Sequence, residues 1–174
     1  MRKFLVPATL ALLAACSPPA QRQDAEAPDS PAAVVVCNTV TPDASRQVSV
    51  QDEAATAAAA SELRGGRIAP GVYDLTQAMR AGQATGWSGT RAVALEVSEG
   101  ESGGVTFNWA GAAPGGDVDR WSATFTEAPQ PRLAYTCGRI GEVDAGFAVE
   151  GDALQRRLPD GANGSLLLTF ERRG

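Results

Sequence analysis

The sequence predicts an all-β protein: an antiparallel, up-and-down barrel of seven or eight short strands, with one short alanine-rich helix ahead of it. A two-sheet sandwich is the alternative arrangement of the same strands. Two observations carry this. From Ile68 onward, apolar residues recur at every second position, the period of a strand with one dry and one wet face. Between these runs lie glycine and proline clusters at 100–104, 111–116, 129–131, 138–146 and 159–164, which punctuate turns. Their near-uniform spacing favours consecutive hairpins, and a sheet of hairpins hides its edges best by closing on itself.

The elements follow in order. Met1-Arg2-Lys3 is a basic head, Phe4 to Leu13 an apolar run, and Ala14-Ala15 a small-residue cut site, so residues 1–15 read as a cleavable signal peptide. The run is too short to span a bilayer, which takes about 20 residues. Residues 17–32 carry four prolines and almost nothing to bury, the composition of a disordered linker. The folded domain spans 33–174, with a strand and a helix over 33–64. Ala33-Val34-Val35-Val36-Cys37 is the first β-branched run. Ser49-Val50-Gln51-Asp52 offers a helix cap, residues 53–64 are rich in alanine, and Gly65-Gly66 stops them. Inward positions then alternate along the strands: Tyr73 and Leu75; Val93, Leu95 and Val97; Val105, Phe107 and Trp109; Trp121, Ala123 and Phe125; Leu133, Tyr135 and Cys137. Phe147 and Val149 precede Gly151-Asp152, a hairpin signal, with Leu154 and Leu158 after it and Leu166, Leu168 and Phe170 last.

Leu13-Ala14-Ala15-Cys16 resembles the lipobox of bacterial lipoproteins. That resemblance implies diacylglycerol on Cys16, which becomes the new N-terminus. Residues 16–32 are then a lipidated cysteine and its spacer. Ser17 is not the Asp that holds some lipoproteins at the inner membrane, so the expected address is the cell envelope, at the outer membrane. Gly65-Gly66-Arg67-Ile68-Ala69-Pro70-Gly71-Val72-Tyr73-Asp74-Leu75-Thr76 resembles the opening strand of small bacterial lipoproteins with a lipocalin-like barrel. Gly71-Val72-Tyr73 is similar to the lipocalin Gly-x-Trp, with Tyr in place of Trp. The family implies a fold and a compartment, and no particular ligand.

With residues 1–15 removed, 13 basic residues face 20 acidic ones. An acidic chain without a basic stripe argues against nucleic acid as a partner and against adsorption to anionic lipid. The expected membrane contact is the lipid alone. With Cys16 acylated, Cys37 and Cys137 remain, an even pair that reads as a disulfide in an exported chain. Two free buried thiols are the alternative, and a metal site is a weaker one. The chain has no histidine, which removes Ser-His-Asp and Cys-His nucleophile pairs and His-based zinc sites.

No catalytic residue, metal ligand or cofactor is expected. Tyr73, Phe107, Trp109, Trp121, Phe125 and Tyr135 are the candidate interior or ligand-lining residues; a filled core is preferred to a lined cavity. Trp87, off the strand phase between Gly86 and Ser88, is expected to plug one barrel end. Asp117 and Asp119 lack the rest of a calcium loop, and Arg156-Arg157 and Arg172-Arg173 read as outward positions and a chain end. Three functions follow from this. The first is a non-enzymatic, membrane-tethered barrel binding an envelope partner protein or a small apolar ligand. The second is an inhibitor or accessory factor of an envelope hydrolase. The third is a hydrolase using carboxylates alone, drawn from Glu96, Glu99, Glu101, Asp117 and Asp119.

Overall fold

In a computed structural model of the chain, which describes residues 36–52, 63–100 and 104–174, the alternating pattern becomes ten strands. They are β1 (Val48–Asp52), β2 (Gly71–Gly82), β3 (Thr90–Glu99), β4 (Val105–Ala112), β5 (Val118–Thr126), β6 (Arg132–Cys137), β7 (Glu142–Asp144), β8 (Gly146–Glu150), β9 (Ala153–Pro159) and β10 (Gly164–Arg172). All belong to one sheet in the order β7-β6-β5-β4-β3-β1-β2-β10-β9-β8. The protein is all-β, and the hairpin at Gly151-Asp152 joins β8 to β9 with Glu150 opposite Ala153.

Three expectations are corrected. Residues 49–52 form β1 rather than a helix cap, because Val48 and Val50 alternate towards the core and pack on it. β2 and β3 pair only where Gly71 to Asp74 face Val97 to Ala94; beyond that they diverge, and β1 fills the gap, parallel to β2 and antiparallel to β3. The expected helix falls at residues 53–62, outside the described residues; Leu63 and Arg64 are not helical. Residues 33–35 of the expected first strand also lie outside, while Val36 and Cys37 are irregular.

The third correction concerns closure. β7 and β8 are the two edges of the sheet and share no ladder. A single residue, Ala145, joins them in sequence, so the sheet curls until its edges meet. Ala145 is fully buried and its N–H donates to the Pro131 carbonyl, 2.9 Å, while β7 touches β9 across the seam. The result is a split barrel. The open edge of β8 is covered by the segment before β2: Gly65 N–H donates to the Phe147 carbonyl at 2.8 Å, and Val149 N–H donates to the Gly65 carbonyl at 3.1 Å. These two bonds occupy part of the β8 edge, and a covered edge offers less to another strand.

Residues 37–46 lie as a strap on the outer face of β3, β4 and β5. Ala94 and Ala110 are cross-strand partners that point outward, and their small side chains leave a floor on which Val40 packs with Val72. Asn38 Nδ2 donates to the carbonyls of Trp109 (3.1 Å) and Trp121 (3.0 Å), and Arg120 donates to Asn38 Oδ1 and the Val40 carbonyl. Cys37 is disulfide-bonded to Cys137 at the end of β6, with Cα atoms 5.5 Å apart. The next residue, Gly138, has φ +76°, and a Cβ there would collide with the Arg120 carbonyl. At the other end of the strap, the buried Asp74 carboxylate accepts two hydrogen bonds from Arg173, at 2.8 and 2.6 Å. Arg173 also donates to the Thr41 carbonyl at 3.2 Å.

Candidate ligand-binding site

The inward residues of every strand meet in one cluster, and its middle is filled. Trp109 and Trp121, direct partners on β4 and β5, stack at 5.4 Å with 11° between their planes. Tyr135 and Phe170 meet this stack edge-on. A second aromatic group forms one layer away: Phe107 lies 5.3 Å from Phe125, and Phe125 lies 5.1 Å from Phe147. Such offset and edge contacts add about 0.5–1.5 kcal/mol each beyond the area they bury. Tyr73, Phe107, Trp109, Trp121 and Phe125 are all buried, and Tyr135 is half-buried against them.

One charged side chain shares this interior. Arg156 on β9 follows the same inward phase as Leu154 and Leu158, between Phe147 on β8 and Leu168 on β10. It is 2% exposed. Its guanidinium lies 4.3 Å from the centre of the Phe107 ring and 5.9 Å from that of Phe125. Nε and Nη2 have no hydrogen-bond partner, and no carboxylate pairs with the group among the described residues. Burial pushes the guanidinium down to about 10, against a smaller upward pull from Tyr135. The reading of Arg156-Arg157 as an outward pair is therefore corrected at Arg156. The signal that finds it is its phase with Leu154 and Leu158.

The two ends of the barrel differ. At one end, the 66–70 segment and the ends of β3, β4 and β5 splay around a cavity of about 840 Å³ that opens to solvent. Phe125 and Phe147 line it, so of the two rings beside the Arg156 guanidinium one, Phe125, also faces this mouth. Val97, Val105 and Ile68 give it apolar walls, and the exposed Arg67, Glu99 and Glu127 give it a charged rim. A volume of this size accommodates a drug-sized ligand, for which about 300–1,000 Å³ is usual.

The opposite end is nearly shut. Trp87, 4% exposed, closes it edge-on against Trp109, with Arg91 5.6 Å above its ring. The loop that carries it is fastened by Gly86 N–H, which donates to both Asp160 carboxylate oxygens at 3.0 and 2.9 Å. Gly111 makes room for the neighbouring indole, since a Cβ there would sit 2.9 Å from Trp109 Nε1. Arg139 covers Trp121 and Tyr135 and pairs with Asp119 at 3.2 Å. A cavity of about 150 Å³ remains beneath them. The indole nitrogens of Trp87 and Trp109 have no hydrogen-bond partner among the described residues.

The carboxylates do not converge. Glu96 faces outward and accepts from Asn108 at 3.0 Å, while Asn108 accepts from Ser122 at 2.7 Å, a polar row beneath the strap. Glu99 stands on the mouth, Asp119 is at the opposite end, and Asp117 is exposed in its loop. Glu101 and Cys16 lie outside the described residues. Among the described residues, no group of three His, Cys, Asp or Glu side chains could hold a metal ion.

No family profile matches the chain, and no curated protein matches it. Among solved structures, a de novo designed fluorescence-activating β-barrel is similar to it. That match has 12% sequence identity and a TM-score of 0.42, covering 60% of this chain and 94% of the designed one.

Proposed function

We propose that this chain is an exported lipoprotein, held to the cell envelope through lipid on Cys16, whose barrel binds a small, largely apolar ligand without transforming it. The observation that carries the binding reading is the mouth: about 840 Å³, apolar-walled, and open at one end of a core otherwise packed with aromatic rings. The support for the anchor is sequence alone, in the signal pattern and Leu13-Ala14-Ala15-Cys16. The support for binding without catalysis is the missing histidine and the scatter of Glu96, Glu99 and Asp119 over three separate places. The outer membrane is the expected address.

Two measurements test it. Titration of the full chain with an apolar fluorophore yields saturable, one-site binding, and Val105→Arg, which puts a charge on the cavity wall, weakens it about tenfold or more. Binding that is absent, or indifferent to Val105→Arg, overturns the cavity as the site. For the anchor, Cys16→Ala leaves an uncut precursor without the acyl mass. A Cys16→Ala product processed like the wild type removes the lipoprotein reading.

A further inference from the structure

The mouth explains where an apolar body would sit; Arg156 bears on what that body carries. A buried cation stripped of water normally has an acceptor, because the loss of hydration is otherwise uncompensated. Here the surroundings are aromatic faces, which attract the charge, but Nε and Nη2 have no acceptor among the described residues. These N–H groups belong to the planar fork that matches a carboxylate in two parallel hydrogen bonds. Asp74 shows the chain able to pair a buried charge when the pairing is structural, through Arg173.

The place of Arg156 directs the missing acceptor. The Phe125 ring centre lies 5.9 Å from the guanidinium and Phe147 is the cross-strand neighbour of Arg156, and both residues line the mouth. Arg156 itself does not line the mouth, so an entering head group would have to part those rings to reach the guanidinium behind them. The charge count sets its valence. One guanidinium among apolar residues balances a single negative charge, whereas a dianionic phosphate would leave a buried excess.

Resting on the ligand-binding reading above, we propose that Arg156 is the counter-ion of a monoanionic, carboxylate-headed amphiphile. Its head inserts past Phe125 and Phe147, and its apolar body fills the mouth.

Dodecanoate and dodecanol share a chain and differ in the head, so they test the two readings separately when titrated into the full chain and followed by tryptophan fluorescence. Dodecanoate binds about tenfold or more tightly than dodecanol. Arg156→Met, checked for fold by circular dichroism, abolishes the preference, so that dodecanoate and dodecanol bind that variant within about twofold of each other. Arg156→Lys, which keeps the charge but loses the fork, falls between. Equal binding of the two probes, or a preference that survives Arg156→Met, overturns the role of Arg156 while the ligand-binding reading stands. Binding of neither removes both.

A second readout needs no variant. The 13C signal of carboxyl-labelled dodecanoate on the wild-type chain titrates below the free acid, as a carboxylate beside a guanidinium must. The other titratable group acting on Arg156 is Tyr135, a phenol that supplies no carboxyl signal. A bound carboxyl that titrates at or above the free value overturns the pairing.

Discussion

Asp74 and Arg156 are equally buried, each 2% exposed, and the protein treats them in opposite ways. Asp74 sits on the outer face of β2, where Arg173 grips both its oxygens and Arg46 stands 3.6 Å away. Around it the outer face is a closed polar account: Asn38, Arg120, Ser122, Asn108 and Glu96 all have partners under or along the strap. Arg156 sits on the inner face of β9 with rings for company and, among the described residues, no acceptor for two of its N–H groups. A charge that serves the fold is paired by the fold. The acceptor-less charge is the one that the proposed ligand would answer.

Removing partners sharpens the contrast, beginning with the largest effect. Arg173→Ala strands a buried carboxylate and costs about 3 kcal/mol in urea unfolding, the low end for a broken buried pair because Arg46 remains nearby. A loss under about 1 kcal/mol would make Asp74 no better served than Arg156. Next, Arg156→Met replaces an unpaired charge by an apolar side chain of similar length and stabilises the ligand-free protein by about 1–2 kcal/mol. The pH dependence has a definite sign. Burial has pushed the folded-state value down to about 10, so at neutral pH both folded and unfolded chains carry the charge and only the folded one bears its desolvation. Above about 10 the folded chain sheds the proton first, and the advantage of Arg156→Met shrinks as pH rises towards the ordinary arginine value. An advantage that is flat with pH, or a variant less stable than wild type, would mean that Arg156 is already paired. Smallest is Glu96→Gln, which keeps an acceptor for Asn108 and shifts stability by about 0.5 kcal/mol or less. A larger change would give the outer face an electrostatic role beyond that row.

Much of the fold was legible because strands with one buried face write their period into the chain. The eight runs from Val72 to Phe170 correspond to β2 to β6 and β8 to β10. β1 was hidden because Ser49-Val50-Gln51-Asp52 offers the chemistry of a helix cap, and only the gap between β2 and β3 makes it a strand. β7 was hidden because its three residues, Glu142–Asp144, are too few for a period to show. The Cys37–Cys137 bond followed from parity and compartment. Arg156 was misplaced for a different reason: its position says inside and its chemistry says outside, and the neighbouring Arg157 made the pair resemble a surface doublet. The mouth was not legible at all. Its walls come from the 66–70 segment, β3, β4, β5 and β8, which meet only once the sheet has curled.

The strap has a mechanical consequence. A tether attached ahead of Cys37 pulls first on residue 37, and the sulfur bridge passes that load straight to β6, next to the seam. β1, the shortest strand inside the sheet, lies off that direct path while the bridge is intact. Reducing agents would therefore change where the molecule begins to come apart under force, from the seam-side strands to β1 and the wedge it fills.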